Sequence, residues 1–262
     1  MKNFTHIEFE IKEKIGIVWF NRPDKHNAMN DIMISEIIEC FQEINNMPEV
    51  RVAMIKGRGK SFCAGADLNY MKGIAEFGYE ENYRDSLNLT KCFNVIYTCK
   101  KPTIAVVHGA AIGGANGILA ACDFVYCEDE TKFAFSEVKL GIAPATISPY
   151  VAKRVGEYGA RDLMLTGRRF NGKEAEWYRL VNKSLPEAEL EEYVAKTISV
   201  LMTSGPDAMA ACKQLIYDIS NKLSFDESID YTARMIAELR ASKEGQEGMA
   251  SFLEKRKPNW VE

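Results

Sequence analysis

The feature that most constrains the fold is a pair of glycine-rich segments, each preceded by an apolar run typical of a buried β-strand. The first segment is residues 61–68 (SFCAGADL) and the second is residues 109–117 (GAAIGGANG). The runs before them, residues 50–56 and 103–107, predict two strands. Backbone N–H groups that follow two such strands can hold one oxygen from two sides. That arrangement is typical of sites that stabilise an oxyanion on a carbonyl substrate.

Size and composition limit the class of protein. The 262 residues suit one large domain, and 47% hydrophobic residues can bury a sizeable core. A net charge of −4 argues against a nucleic-acid-binding domain, which normally carries a basic stripe. Seven cysteines without zinc-like spacing indicate free thiols in a reducing compartment. With no apolar signal region and no run approaching the roughly 18 residues of a membrane span, we expect a cytoplasmic protein with no membrane partner.

Hydrophobic periodicity predicts an α/β part over about the first 145 residues and a mainly helical part after it. The α/β part contains a hairpin over residues 4–20 with its turn at residues 14–16, helices over 31–45, 80–99 and 113–123, and further strands over 124–127 and 132–135. The predicted helices of the second part are 149–166, 173–181, 187–203, 206–219 and 226–255. Strand signals are scarce in that second part.

Several short motifs do not support a specific chemistry. Residues 57–61 (GRGKS) resemble the end of a phosphate-binding P-loop, but that motif needs glycine where this chain has Met54. A strand-exit turn is the better interpretation. His6, His26 and His108 have no metal-ligand spacing. The nucleophile motif GxSxG of serine hydrolases does not occur.

Two features indicate a reactive site. Gly113 and Gly114 stand where a helix begins, and the first N–H groups of a helix lack intrahelical partners and favour negative charge. Glu137 has apolar neighbours in FAFSEVKLGIAP, and such surroundings raise a carboxyl pKa towards values that suit proton transfer. Simple backbone packing of the glycines, and a solvated Glu137 paired with Lys139, are the alternatives that the residues leave open.

In their order and spacing, several segments resemble the crotonase family, the enoyl-CoA hydratases and isomerases. These segments are residues 21–28 (NRPDKHNA), 62–68 (FCAGADL), 109–123, 136–141 (SEVKLG), 165–170 (LTGRRF) and 252–258 (FLEKRKP). The resemblance implies a spiral of strand-strand-helix units over residues 1–200 and a helical trimerisation region over residues 201–262. It implies a homotrimer or a hexamer built as a dimer of trimers. It also implies an acyl-CoA substrate, with no metal or redox cofactor, since coenzyme A is part of the substrate.

The resemblance assigns three residues to the chemistry. The N–H groups of Ala66 and Gly114 would hold the thioester oxygen, and Glu137 would transfer the proton. Removing or adding a proton beside the thioester carbonyl builds enolate charge on that oxygen. One well-placed donor to such a charge contributes about 3–4 kcal/mol.

The resemblance also assigns a binding site for coenzyme A. The residues concerned are Ala64, Asp67 and Leu68 for the adenine end, Arg22 and Lys25 as phosphate contacts, and Phe252 and Lys255 to complete the site, including from a neighbouring subunit. A basic residue that often follows the Ala-Asp-Leu turn in this family is Asn69 here. Lys72 is the candidate substitute for that phosphate contact.

One departure from the family pattern concerns the acids. Two-acid hydratases of the family carry a second glutamate just after the second glycine-rich turn, where this chain has Gly117. Single-acid members include the Δ3,Δ2-enoyl-CoA isomerases. Dienoyl-CoA isomerases carry an aspartate where this chain has Ala145, which disfavours that activity.

Residues 136–150 (SEVKLGIAPATISPY) most resemble a hydratase subgroup of leucine and acyclic-terpene breakdown, similar to methylglutaconyl-CoA hydratases. Members of this subgroup also tend to carry glycine at the second acid position. We therefore expect a hydratase that adds water across the 2,3 double bond of an enoyl-CoA, with a branched substrate such as 3-methylglutaconyl-CoA. Arg154 or a lysine is the candidate cation for its distal carboxylate. A single-glutamate Δ3,Δ2-enoyl-CoA isomerase and a non-catalytic acyl-CoA-binding protein are the alternatives.

Overall fold

The computed structural model describes residues 4–261. In chain order the strands are β1 (Ile7–Lys12), β2 (Ile15–Phe20), β3 (Val52–Gly57), β4 (Thr103–Val107), β5 (Ala110–Ile112), β6 (Phe124–Glu128), β7 (Lys132–Ala134), β8 (Arg169–Phe170) and β9 (Lys183–Leu185). The helices are α1 (Asp31–Ile44), α2 (Leu68–Ile74), α3 (Tyr79–Tyr97), α4 (Ala115–Ala121), α5 (Ser148–Thr166), α6 (Gly172–Trp177), α7 (Glu187–Met202), α8 (Pro206–Asn221), α9 (Phe225–Ala241) and α10 (Lys243–Leu253). The α/β class predicted from the sequence is confirmed.

The strands form two sheets. The larger sheet has the order β1-β2-β3-β4-β6-β9, in which the β1–β2 hairpin is antiparallel and the later pairs are parallel. The smaller sheet has the order β5-β7-β8. From β4 to β7 the strands alternate between the sheets, because β4 and β6 belong to the larger sheet and β5 and β7 to the smaller one. The segment β4-β5-α4 is therefore one strand-strand-helix unit.

Both faces of the larger sheet are covered. One face packs on α1, α3 and α4 in a core that contains fully buried Phe41, Phe62 and Phe93. The other face packs on α7 through Leu190 and Val194. Strands buried on both faces appear in a sequence as continuous apolar runs, which is why β3 and β4 were predictable.

The structure corrects several predicted boundaries. The hairpin turns at Glu13 and Lys14, one residue earlier than predicted, and both have the positive φ (50° and 65°) of a two-residue hairpin loop. The predicted helix over residues 226–255 is two helices, because Ser242 ends α9 and its hydroxyl caps α10 by accepting from the Gly245 amide at 3.0 Å. The predicted division at residue 200 lies inside α7, which ends at Met202, and the division itself stays a prediction.

Three short strands and one helix were not predicted. The strands β5, β8 and β9 have two or three residues each, too few for a periodic pattern. Helix α2 follows directly on the first glycine-rich segment, with Asp67 as its N-cap. These elements matter because β5 and α2 frame the two glycine-rich loops.

Candidate active site

The two glycine-rich segments lie side by side. The Cys63 amide donates to the Ala110 carbonyl at 3.0 Å, and the Ile112 amide donates to the Cys63 carbonyl at 3.1 Å. A methyl group on Gly65 would lie 3.3 Å from the Ile112 carbonyl oxygen. Gly65 has a φ of 103°, so a side chain there would also strain the backbone. The first loop thus runs against the β5 end of the second loop.

Met29 contacts both loops, and its role was not predicted from the sequence. Its amide donates to the Gly65 carbonyl at 2.7 Å, and its carbonyl accepts from the Asp67 amide at 2.8 Å. Its side chain is 3% exposed, and its Cε atom lies 2.8 Å from the position of a methyl group on Gly114. Ala66 lies between Gly65 and Asp67, the two residues that bond to the Met29 backbone. Met29 therefore holds Ala66 close to Gly114.

The amides of Ala66 and Gly114 are available to a ligand. Within residues 4–261, neither amide donates a hydrogen bond to another group of the chain. In the local strand pairing of residue 29 with residue 66, the bonds are made by the Gly65 carbonyl and the Asp67 amide, so the Ala66 amide points away from Met29. Gly114 is the N-cap of α4, where amides lack an intrahelical partner. Two unpaired donors therefore stand on adjoining loops.

The Glu137 carboxyl group lies against the second loop. Glu137 belongs to a single 3-10 turn over residues 136–140, and its Oε1 atom lies 3.4 Å from the position of a methyl group on Gly113. Gly113 has a φ of 57°, so glycine is required there for the backbone conformation as well as the space. The structure therefore brings Ala66, Gly114 and Glu137, three residues predicted from the sequence, into one region.

Glu137 is half-buried, and no compensating charge pairs with its carboxyl group among residues 4–261. Its Oε2 atom has no hydrogen-bond partner among residues 4–261, and within the same range no salt bridge joins it to Lys139. Burial raises the pKa of Glu137 above its usual value of 4.5, partly offset by a hydrogen bond to its own backbone. A glutamate in these surroundings accepts a proton more readily than a solvated one.

The position of the second acid is filled. A methyl group on Gly117 would lie 2.8 Å from Cζ of Phe93 and closer still to the Ile147 side chain. Both of those residues are fully buried or nearly so. A glutamate cannot occupy position 117 without moving them, so the packing leaves no room for an acid at that position.

Arg22, a predicted phosphate contact, is engaged within the protein. Its Nη2 atom donates to the Asp67 carboxylate at 2.8 Å, and its Nη1 atom donates to the Ala28 carbonyl at 2.5 Å. Its side chain is only 13% exposed. Asp67 in turn accepts from the Asn69 amide at 2.8 Å and so begins α2. Arg22 thereby holds the first glycine-rich loop, whichever contact it makes with a ligand.

The other predicted coenzyme A residues are placed as follows. Lys25 extends into solvent, with about half of its side chain exposed. Ala64 and Leu68 are exposed. The Ala64 amide donates to the His26 carbonyl at 3.0 Å, so the carbonyl of Ala64 is the group left for a ligand. Lys72 is exposed on α2. Phe252 and Lys255 are exposed at the end of α10, and their role stays a prediction.

Arg154 cannot serve as the cation for a distal substrate carboxylate. Its guanidinium group donates to the carbonyls of Leu180 and Cys122 and to the Asn182 side chain, each at 2.7 Å. Through these bonds the guanidinium group joins α5 to the larger sheet.

Among residues 4–261 no cluster of histidine, cysteine, aspartate or glutamate could hold a metal ion. In the same range no helix is long and apolar enough to cross a membrane.

Comparison with known proteins identifies the family. The sequence profile described as "Enoyl-CoA hydratase/isomerase" matches residues 10–262. The chain belongs to this family.

Relatives named for two activities share this family likeness. A crotonyl-CoA hydratase of Syntrophomonas wolfei is 32% identical over 260 residues, 98% of each chain. A mitochondrial Δ(3,5)-Δ(2,4)-dienoyl-CoA isomerase of Dictyostelium discoideum is 30% identical, over 90% of this chain and 84% of its own. The crystal structure of an enoyl-CoA hydratase from Shewanella pealeana is 34% identical, with a TM-score of 0.94 over 98% of this chain and 96% of its own. The crotonase fold expected from the resemblance is therefore confirmed, and the chain is an enzyme of the enoyl-CoA hydratase/isomerase type.

Proposed function

We propose that this enzyme is an enoyl-CoA hydratase that adds water reversibly across the 2,3 double bond of an acyl-CoA thioester. The observation that carries the proposal is the meeting of two unpaired amides, those of Ala66 and Gly114, with the half-buried carboxyl group of Glu137. A thioester oxygen between the two amides would gain two hydrogen bonds that strengthen as enolate charge develops. Contacts of the distant coenzyme A portion would hold the acyl group in place.

One carboxyl group suffices for the proton transfers. In the forward direction the Glu137 carboxylate accepts a proton from water while the water oxygen bonds to C3. The electrons of the double bond move to form the enolate, whose oxygen rests on the amides of Ala66 and Gly114. Glu137 then returns the same proton to C2, which regenerates the carboxylate and gives the 3-hydroxyacyl thioester. The raised pKa of Glu137 supports both steps, because the group must first accept and then release a proton.

A branched acyl group, such as that of 3-methylglutaconyl-CoA, is part of the proposal. The support is the resemblance of residues 136–150 to hydratases of branched substrates, which share the glycine at position 117. The closed packing at Gly117 fits a hydratase of this single-acid kind. Coenzyme A would enter only as part of the substrate, with no further cofactor. We also propose a cytoplasmic location.

Δ3,Δ2-Enoyl-CoA isomerase activity is the second candidate, favoured by the same single acid. Glu137 would then take a proton from C2 of a 3-enoyl thioester and return it to C4. Hydration and isomerisation thus differ in where the proton comes from, water or carbon, and not in the groups that stabilise the enolate. The structure of the site is compatible with both.

The test is a turnover screen of straight and branched 2-enoyl and 3-enoyl thioesters, with products identified by mass. Water addition raises the mass of the thioester by about 18 units in ordinary water and by about 20 units in water labelled with ¹⁸O. Isomerisation leaves the mass of the thioester unchanged in both. We expect water addition by the wild-type enzyme and its loss in Glu137→Gln. Mass-neutral conversion of a 3-enoyl thioester alone would establish the isomerase instead. Tight binding of the whole panel without conversion would support the acyl-CoA-binding alternative.

A further inference from the structure

We propose that Asn116 is a positioning residue, whose side-chain amide holds the turn that carries the Gly114 amide against the strand that leads to Glu137. The inference rests on the proposed function, since it assigns a task only if the Gly114 amide and Glu137 act on one thioester. Asn116 itself is not expected to touch the substrate.

The Asn116 side chain joins two backbone segments. Its Nδ2 group donates to the Ala134 carbonyl at 2.9 Å and to the Gly113 carbonyl at 3.2 Å. The Gly113 amide donates to the same Ala134 carbonyl at 2.9 Å. Gly113 precedes the donor residue Gly114, and Ala134 ends β7, three residues before Glu137. One side chain thus ties the donor turn to the segment that carries the acid.

The turn needs such a restraint. Gly113 has a left-handed backbone conformation, and α4 is only seven residues long with no side-chain cap at Gly114. Glycine adopts many conformations readily, so two consecutive glycines do not by themselves fix the direction of an amide. The bonds from the Asn116 side chain add a second restraint to the backbone bond between the Gly113 amide and the Ala134 carbonyl.

The folding energetics also indicate a purpose beyond stability. Asn116 is fully buried, and its Oδ1 atom has no partner among residues 4–261. Leaving a buried acceptor unpaired opposes folding. Asn27, also fully buried, differs in this respect, because its Oδ1 atom accepts from the Arg22 amide and its Nδ2 group donates to two carbonyls. Stability alone therefore does not account for asparagine at position 116.

The backbone remains satisfied if the Asn116 side chain is replaced. The Ala134 carbonyl keeps the Gly113 amide as its donor, and the Gly113 carbonyl keeps the main-chain amide of residue 116 at 3.0 Å. Asn116→Leu has a similar size and removes both the donor and the unpaired acceptor. We expect this variant to fold with a melting temperature at or above that of the wild type.

The experiment compares Asn116→Leu with the wild type in two measurements. Steady-state kinetics with the best substrate of the turnover screen should show a kcat lowered by about 10- to 100-fold, because a displacement of about 1 Å can have that effect. The KM should stay within about threefold, since coenzyme A binds elsewhere. The matched control is Ile118→Val. Ile118 is fully buried on α4, two residues after Asn116, and this substitution should leave kcat and KM unchanged.

The second measurement reports the amides directly. A cinnamoyl-CoA with an electron-donating ring substituent absorbs at longer wavelength when its carbonyl oxygen is polarised by hydrogen bonds. The shift on binding should be smaller for Asn116→Leu than for the wild type and Ile118→Val, at saturating ligand. If Asn116→Leu shows the same spectral shift and the same kcat as the wild type, the role proposed for Asn116 is wrong, whereas the amide site of the proposed function stands. Absence of any shift in the wild type would overturn the amide site itself, and this proposal with it.

Discussion

At the scale of single residues, the site depends on a carboxyl group placed where it is costly to ionise. Glu137 is partly buried, and its Oε2 atom has no partner among the described residues 4–261. A residue that lowers stability in return for reactivity is typical of functional sites. Its effects on activity and on stability should therefore separate under mutation and with pH.

The first prediction concerns the pH dependence of activity. In the proposed reaction, Glu137 must be ionised in the free enzyme, so kcat/KM falls as the pH falls through its pKa. Because burial raises this pKa, the acid limb should lie above pH 4.5. The measurement is kcat/KM for a 2-enoyl thioester from pH 4.5 to 9, with protein fluorescence as a check on folding. A profile that stays flat down to pH 4.5 contradicts the assignment of Glu137.

The second prediction concerns stability. When folding raises the pKa of an acid, ionisation of that acid lowers the free energy of unfolding. The protein therefore loses stability as the pH rises from the unfolded-state pKa through the folded-state pKa. Glu137→Gln is uncharged and should have a higher melting temperature than the wild type at pH 8. The difference should shrink as the pH approaches 4.5. An equal difference at pH 5 and pH 8 would show that charge burial is not its origin. The measurement is differential scanning calorimetry.

The third prediction concerns the closed position of the second acid. Gly117→Ala places a methyl group against Phe93 and Ile147, and such overpacking costs about 1–3 kcal/mol, partly offset by the better helix propensity of alanine. In the Ile147→Ala background the clash with Ile147 is relieved, so the cost of Gly117→Ala should be smaller. Urea denaturation of the four proteins of this cycle measures the coupling. Additive free energies would indicate that position 117 has free space.

At the scale of elements, the reactive groups are brought together by connections between loops and not by one motif. The first loop is held by the strand-like contacts of Met29 and by the Arg22–Asp67 salt bridge. The second is held by the pairing of β5 with β7. Burial acts to raise the pKa of Asp67, but hydrogen bonds from Arg22 and the α2 amides outweigh it and lower the pKa overall.

The fourth prediction separates two tasks within the early loop. Arg22→Met should lower stability by about 1–3 kcal/mol, because it leaves the Asp67 carboxylate without its charged donor, and should lower kcat by loosening the Ala66 loop. Lys25→Met should leave stability unchanged and raise KM, as expected for an exposed phosphate contact. The measurements are urea denaturation and steady-state kinetics. If Arg22→Met instead raises KM and leaves stability unchanged, the main role of Arg22 is to bind the ligand and not to hold the loop.

At the scale of the whole molecule, the C-terminal helices leave apolar side chains uncovered in one chain. None of the residues of α9 is buried. Phe225, Phe252 and Leu253 are about four-fifths exposed, at 85%, 83% and 78%. Exposed apolar surface of this kind is typical of an interface. It supports the predicted assembly of several copies.

The fifth prediction is therefore a homotrimer or a hexamer in solution. Phe252→Glu places a charge at the end of α10 and should lower the fraction assembled or raise KM, as expected if this end completes a neighbouring site. Tyr158→Glu on α5, where the side chain is 74% exposed, is a control for added surface charge. Light scattering after size-exclusion chromatography gives the mass. A wild-type monomer at micromolar concentration contradicts the prediction.

Much of this protein was predictable from its sequence, because local order carries the relevant signals. Apolar runs indicated β3 and β4, glycine patterns indicated the two loops, and the apolar neighbours of Glu137 indicated a raised pKa. The pattern of segments indicated the family. These features are visible because each depends on residues close together in the chain.

Tertiary structure decided what depends on residues far apart. Only the fold places Met29 between residues 65 and 114, and only the fold commits Arg22 and Arg154 to partners inside the protein. The sequence determined that position 117 has no acid, whereas packing by Phe93 and Ile147 decided that none fits there. The reason is physical: the pattern of apolar and glycine residues sets local conformation, but the direction of an amide and the space beside a carboxylate are set by distant neighbours.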